Sequence, residues 1–238
     1  MKGYVAVFIV GLAAFLSGCA TEDPSGANDP YEATNRKIFD MNMSLDRHVM
    51  KPVARTYVNV VPEPVRDSVH NFLTNLDLPV TFANDILQGE FERSGETLAR
   101  LGVNTTLGIG GLFDVASQAG VPFHTEDFGQ TLAVWGSGEG PYIMWPFYGP
   151  SNPRDTAGAI VDIGFDPLTY VGWRSKFWYM AGRGALNVID LRARSLDQLD
   201  SIERSSVDFY ASVRSLYRQN RDNEIRNGKP DITNLPNL

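Results

Sequence analysis

The sequence predicts an all-α protein. Apolar residues recur at spacings of three and four over most of the chain, whereas strict two-residue alternation is nearly absent. Asp, Asn, Pro and Gly stand at the ends of these segments, where helices begin and end. Hydrophobic residues make up 43% of the 238 residues and charged residues 21%. This composition excludes a wholly disordered chain and a membrane protein built mainly of spanning helices.

The first half of the chain contains helices separated by prolines. The first helix is predicted to begin at Asp29–Glu32, because Asp caps a helix, Pro suits its first position and Glu falls at capping-box spacing. We expect this helix to end at Pro52, and a second helix to run from Pro64 to Pro79. A short helix over residues 80–87 and another over residues 92–107 are predicted to follow.

The second half begins with a glycine-rich turn over residues 108–114, which is predicted to lead into a short helix. Further helices are expected at residues 127–135, 152–163, 176–201 and 205–226. We expect residues 29–226 to form a single helical domain and residues 227–238 to be a disordered tail.

Composition and motifs argue against several classes of function. The net charge of −7 argues against nucleic acid as a partner. Cys19 is the only cysteine, and His48, His70 and His124 have no metal-ligand spacing. We find no nucleophile motif and no phosphate-binding loop. The sequence therefore predicts no catalytic site, no metal site and no cofactor; an envelope lipid hydrolase stays an alternative that would need a nucleophile–base pair.

The N-terminus predicts a lipid anchor. Tyr4–Leu16 is an apolar run with the length of a signal-peptide core, too short to span a membrane comfortably. It ends in Leu16-Ser17-Gly18-Cys19, which resembles a bacterial lipobox. We expect residues 1–18 to be a cleaved signal peptide, Cys19 to be lipidated and residues 19–28 to be a polar tether. The alternative is an ordinary signal peptide with a chance cysteine.

An aromatic segment over Phe128–Pro150 differs from the rest of the chain. It has five glycines and three prolines, and Glu139 is its only charged residue. One interpretation is a buried crossover; the other is a hairpin in contact with lipid, because Trp and Tyr favour the membrane interface. Its aromatic residues are Phe128, Trp135, Tyr142, Trp145, Phe147 and Tyr148.

A second unusual segment, Gly172–Ser195, is locally basic. It has five Lys and Arg residues against Asp190 alone, with aromatic residues interleaved. This pattern is typical of a solvated helix face, but it also fits attraction to anionic lipid headgroups.

Several motifs in series resemble one family, the MlaA (VacJ) lipoproteins. Their order and spacing match over about residues 29–195. The motifs are Asp29–Arg36 with Phe39 and Asn42, Arg100 with Val103–Thr105, Gly108–Ala116, Phe128–Leu132, Gly140–Tyr142 with Pro146–Ser151, and Arg154-Asp155.

The resemblance implies an outer-membrane lipoprotein of Gram-negative bacteria, held at the periplasmic face by its lipid anchor. It implies a ring of mostly amphipathic helices lying in the periplasmic leaflet, with an amphipathic channel and a trimeric porin as a partner. Mislocalised phospholipid would leave the outer leaflet through this channel and pass to a soluble periplasmic carrier. A structural lipoprotein that tethers porin or cell-wall components is the alternative.

Residues and resemblance together nominate two sets of site residues. The channel or gate candidates are Asn35, Phe39, Asn42, Met43, Gly108, Gly110, Gly111, Trp135, Tyr142, Trp145, Phe147 and Tyr148. The headgroup-contact candidates are Arg154, Asp155, Arg174, Lys176 and Arg183.

Overall fold

The computed structural model describes residues 28–172 and 174–229. The predicted signal peptide, Cys19, nearly all of the tether and most of the tail lie outside these residues. The all-α prediction is confirmed: the described chain is built of helices and one two-stranded hairpin. Within the described ranges, no helix combines the length and apolar character needed to cross a membrane.

The first helical rod is longer than predicted. Helix α1 (Glu32–Leu45) continues through a π-helical turn (Asp46–Met50) into α2 (Lys51–Val60). The predicted end at Pro52 is wrong. Pro52 lies in the first turn of α2, directly after the π-helical turn. At this position the missing N–H of proline disturbs the helical hydrogen bonding least.

The second rod is also continuous. Helix α3 (Glu63–Gln88) contains Pro79, so the predicted break there and the separate helix over 80–87 are wrong. A proline inside a helix removes one hydrogen bond, but burial of Leu78 and Thr81 beside it holds the helix together. Helix α4 (Phe91–Thr106) runs back along α3 after a left-handed turn at Gly89.

The glycine-rich turn and the short helix that follows it are confirmed. The turn leads into α5 (Val115–Gln118), whose first turn is capped by the Asp114 side chain. The buried Arg100 on α4 donates to both oxygens of Asp114 at 2.8 and 2.7 Å. Burial raises the pKa of Asp114, but hydrogen bonds from Ser117, Asn104 and Arg100 outweigh this effect and bring the pKa to about 2.

The aromatic segment forms a helix and then a hairpin. Helix α6 (Phe128–Val134) is followed by β1 (Ile143–Trp145) and β2 (Gly149–Ser151), which pair antiparallel with Trp145 opposite Gly149. Helix α7 (Pro153–Phe165) and a 3₁₀ turn (Pro167–Thr169) complete this part of the fold.

The C-terminal part, as far as residue 229, contains three helices: α8 (Lys176–Arg194), α9 (Leu196–Ser205) and α10 (Phe209–Ile225). The single helix predicted over 176–201 is interrupted at Ser195. Helix α8 packs against α2 and α3, and α10 packs against α6 and β2.

Asp29 has a different role from the one predicted. It does not cap α1 through its side chain. Its buried carboxylate accepts hydrogen bonds from Asn35 at 2.8 Å, from Arg214 at 2.7 Å and from the Tyr210 hydroxyl. These hydrogen bonds connect the start of α1 to α10. A buried carboxylate must be hydrogen-bonded inside the protein, whereas the N–H groups at a helix end can bond to water.

The distribution of side chains is partly inverted relative to a soluble globular protein. The main buried hydrophobic cluster is small and consists of Phe39, Tyr142, Met144 and Tyr210. Many buried residues are instead polar or charged, whereas Phe147, Phe177 and Trp178 are 78%, 72% and 75% exposed. A surface with such large apolar side chains is suited to contact with lipid or with another protein.

Two adjacent glycines allow a matched test of the packing between α3 and the glycine-rich turn. Gly110 and Gly111 both have positive φ angles, of 70° and 90°, but only at Gly111 would a Cβ lie 2.5 Å from Cβ of Asn75. We expect Gly110→Ala to lower the free energy of unfolding by about 1 kcal/mol. Gly111→Ala should lower it by about 2–4 kcal/mol, because overpacking adds to the backbone strain.

Thermal unfolding followed by circular dichroism would measure this difference. Equal melting temperatures for the two variants would contradict the contact with Asn75.

Candidate functional site

Two asparagines of α1 hold the hairpin by its backbone. Asn35 donates to the Tyr142 carbonyl at 3.1 Å and accepts from the Met144 N–H at 3.0 Å. Two turns later on the same face, Asn42 donates to the Trp145 carbonyl and accepts from the Phe147 N–H, each at 2.9 Å. The side-chain amide of asparagine donates through its NH₂ group and accepts through its oxygen, so each residue satisfies two backbone groups of the hairpin.

Aromatic packing supports this attachment. The ring of Phe39, on the same helix, meets the rings of Phe209 and Tyr210 edge to face at centroid distances of 5.4 and 5.5 Å. Tyr142 packs against Tyr210 at 6.1 Å. The hairpin is therefore fixed between α1 and α10, while Phe147 in its turn is exposed.

A cavity of about 230 Å³ lies beside the hairpin turn, and we call it the hairpin cavity. Its walls come from α1 with the π-helical turn, from the hairpin turn and from α8. Its lining residues are Asn42, Met43, Leu45, Asp46, Met50, Phe147, Tyr148, Gly149, Val188, Leu191, Arg192 and Ser195. The walls are thus mostly apolar, with an ion pair on one side.

This ion pair joins α8 to the π-helical turn. Arg192 donates from Nε and Nη2 to the two oxygens of Asp46 at 2.7 and 2.9 Å. Asp200 lies 3.6 Å from Nη2 of Arg192 and 2.7 Å from Nζ of Lys51. The hydrogen bond with Asp46 raises the pKa of Arg192, and the one from Lys51 lowers the pKa of Asp200, so both residues are charged at neutral pH.

The structure brings four of the predicted channel residues into this cavity: Asn42, Met43, Phe147 and Tyr148. Asn35, Phe39 and Tyr142 lie behind it, in or beside the aromatic cluster. Their roles in a channel stay predictions.

The remaining channel candidates do not line the hairpin cavity. Trp135 ends α6 and donates from its indole to the Leu87 carbonyl at 3.1 Å, and the indole of Trp145 donates to Thr156 at 2.9 Å. Gly108, Gly110 and Gly111 lie in the turn after α4. A Cβ on Gly108 would meet the backbone of Asn104 and one on Gly111 would meet the side chain of Asn75, whereas Gly110 has open space around it.

Two of the headgroup candidates belong to a buried ion network. Arg221 of α10 donates to Asp155 at 2.9 Å and to Asp127 at 2.6 Å, and so joins the N-terminal ends of α6 and α7. Arg154 donates to the same Asp155 at 3.0 Å. Burial raises the pKa of Asp155, but the charge and hydrogen bonds of Arg221 outweigh this and lower it.

The other headgroup candidates lie around the start of α8. Arg183 forms ion pairs with Asp77 at 2.6 Å and Asp166 at 2.5 Å. Lys176 donates to the Thr169 carbonyl, while Arg174 is exposed. Of these three, Arg174 is the residue whose charge is most accessible from outside the protein.

The wall that α8 contributes to the hairpin cavity was not predicted from the sequence. Val188, Leu191, Arg192 and Ser195 recur at the spacing of one helix face, and this signal was available. An arginine on an otherwise apolar helix face indicates a buried ion pair or a residue that binds a ligand. Within the ranges that the structure describes, no group of three or more His, Cys, Asp or Glu residues is arranged to hold a metal ion.

Helices that bury ion pairs and expose aromatic side chains define a class of protein suited to the membrane interface. The sequence model of the MlaA lipoprotein family matches residues 27–224. The chain is 37% identical over its whole length, and over 94% of the relative's length, to the intermembrane phospholipid transport system lipoprotein MlaA of Escherichia coli (strain K12). The protein of that name from Shigella flexneri is 35% identical, with the same coverage.

A solved structure agrees with these sequence comparisons. It was reported as a structural basis for maintenance of bacterial outer membrane lipid asymmetry. It matches with a TM-score of 0.75 and 37% identity, over 83% of this chain and 98% of that one. The chain belongs to the MlaA lipoprotein family.

Substituting each asparagine is expected to weaken a different part of the hairpin. In Asn42→Ala, we expect the Phe147 amide to lose about five- to tenfold of its protection from hydrogen exchange, because its hydrogen-bond acceptor is removed. The Met144 amide should keep its protection, since Asn35 still accepts from it. Asn35→Ala should give the opposite pattern.

Hydrogen exchange at residue resolution measures both amides in each variant. Equal loss at both amides in either variant would indicate that the hairpin opens as one unit and would contradict two independent attachments.

Proposed function

We propose that this protein removes mislocalised phospholipid from the outer leaflet of the outer membrane and passes it to a soluble periplasmic carrier. The observation that carries this proposal is the hairpin cavity, which has apolar walls and a charged side and lies beside an exposed aromatic turn. The names of the relatives, which describe intermembrane phospholipid transport, support it.

The chemistry of the cavity suits a phospholipid. A charged headgroup crosses hydrocarbon slowly because its charge must leave water. Polar groups such as Asn42 and the Asp46–Arg192 pair supply hydrogen bonds for a headgroup. Met43, Leu191 and Phe147 supply apolar surface for the acyl chains. A lipid could thus move along such a surface with each part in a matching environment.

We further propose that the helices form a ring in the periplasmic leaflet, that Cys19 carries the lipid anchor and that a trimeric porin is a partner. The exposed Phe177 and Trp178 on α8 support contact with lipid, because aromatic side chains favour the membrane interface. The energy for transport would come from elsewhere, since the sequence has no phosphate-binding loop.

The proposal is tested by the phospholipid content of the outer leaflet in a deletion strain. We expect this content to rise on deletion, to return to normal with the wild-type gene and to stay high with Cys19→Ala. Unchanged leaflet composition would contradict the proposal and favour a structural tether for porin or cell-wall components. A variant lacking Asn42 and Met43 should also change lipid asymmetry, because it removes the hairpin attachment and part of the cavity wall.

The headgroup candidates near α8 are tested by charge reversal. Reversing Arg174, Lys176 and Arg183 together should slow lipid removal, because each basic residue near an anionic surface contributes about 1 kcal/mol of attraction. Arg183 also pairs with Asp77 and Asp166, so reversing Arg174 alone separates attraction from loss of these ion pairs. Normal lipid removal in the triple variant would exclude the headgroup role.

A further inference from the structure

We propose that one edge of the protein inserts into the hydrocarbon of a lipid bilayer. This edge comprises the second half of α4, the glycine-rich turn, α5 and the chain as far as Phe123, and we call residues 98–123 the α4–α5 edge. The inference goes beyond the proposed function, because it concerns where the protein meets the bilayer and not which lipid it moves. Three observations carry it: the charge of the edge, its exposed side chains and the hydrogen bonding of its polar groups.

The first observation is the charge. Arg100 and Asp114 are the only charged residues of the α4–α5 edge, although charged residues make up 21% of the whole chain. They neutralise each other, because Arg100 donates to both oxygens of Asp114. Arg100 is buried, and its Cζ atom lies 5.1 Å from the ring centroid of Phe123. Moving this edge from water into lipid would therefore strip water from no unpaired charge.

The second observation is the exposure of apolar side chains. Ile109 has a φ angle of 53°, a left-handed conformation that is strained for a β-branched residue. Its side chain is nevertheless 65% exposed, so packing inside the protein gains little from it. A strained and exposed apolar residue indicates contact with something outside the chain. Six apolar side chains of the edge are between 39% and 69% exposed: Leu98, Leu107, Ile109, Leu112, Phe113 and Phe123.

The third observation is the hydrogen bonding of polar groups. Five of the seven N–H groups of residues 107–113 donate to backbone carbonyls of α4 or of the turn itself. The Thr106 hydroxyl donates to the Gly102 carbonyl, and the Ser117 hydroxyl donates to Asp114, each at 2.6 Å. Polar groups at a surface in water have water as a partner, whereas groups in hydrocarbon must be satisfied inside the protein. The edge meets most of this requirement.

These observations favour acyl chains over a protein as the partner of the edge. An interface between proteins carries about one hydrogen bond per 100–200 Å² and so needs free donors and acceptors on both sides. The α4–α5 edge has its two charges paired with each other and most N–H groups of its turn bonded internally. A bilayer offers apolar contact without new hydrogen bonds, and apolar faces of this kind lie among the acyl chains near the headgroups.

The test places a fluorescent label on the turn. Full-length Ile109→Cys, labelled with nitrobenzoxadiazole, is reconstituted into vesicles of phosphatidylethanolamine and phosphatidylglycerol. We expect nitroxide on the lipid acyl chains to quench the label strongly and aqueous iodide to have little effect. Cys19 is the only other cysteine, and the wild type taken through the same labelling measures any signal from it. Leu107→Cys is the second label position if a label disturbs the strained residue 109.

Val207→Cys is the matched control. Val207 is also a β-branched residue in a turn and is fully exposed, but it stands next to Asp208, which pairs with Arg36. We expect the opposite pattern there, with quenching by iodide and little quenching by the acyl-chain nitroxide. Circular dichroism of the labelled variants in the same vesicles verifies that their helices are retained.

Three results would overturn the inference. Iodide quenching at residue 109 would show that the turn faces water. Protection of this label from both quenchers would show that a protein covers the turn instead. Equal quenching by the nitroxide at residues 109 and 207 would show that the α4–α5 edge does not differ from other exposed apolar positions. None of these results concerns transport, so the proposed function is tested separately by the phospholipid content of the outer leaflet.

Discussion

The arrangement of the helices depends on pairing charges inside the protein. Two arginines of α10 form these pairs. Arg221 pairs with Asp127 and Asp155 at the starts of α6 and α7, and Arg214 pairs with Asp29 before α1. Removing one partner of such a buried pair typically costs about 3–5 kcal/mol, because the other charge is left without compensation. Among the described residues the main buried hydrophobic cluster is small, so these pairs and the asparagine contacts help to set which helices meet.

The hairpin illustrates how this constraint produces a site. A two-stranded hairpin is marginally stable alone, and here Asn35 and Asn42 satisfy backbone groups that a third strand would otherwise have to pair. The turn is consequently held at the end of α1 while Phe147 stays exposed. The same helix face thus fixes the hairpin and opens the cavity that lies between it and α8.

Much of the fold and part of the site could be predicted from sequence. Helical spacing identified the helices, and the aromatic segment identified the hairpin region. The predicted helix ends at Pro52 and Pro79 are wrong for one reason: each proline removes a single helical hydrogen bond. The π-helical turn before Pro52 and the buried residues beside Pro79 offset this loss. Asp29 was misassigned because capping is a local rule, whereas its partner Arg214 is 185 residues away in the chain.

The sequence by itself determined the helical class, the segments with unusual composition and the family motifs, because these depend on local spacing and on residue type. Only the tertiary structure decided that Asn42, Met43 and Phe147 share one cavity and that Arg192 completes its wall. Ion pairs and cavities join residues more than 100 positions apart, such as Asp46 and Arg192. Such pairings leave no periodic signal in a single chain, since any of its many carboxylates could have met that arginine.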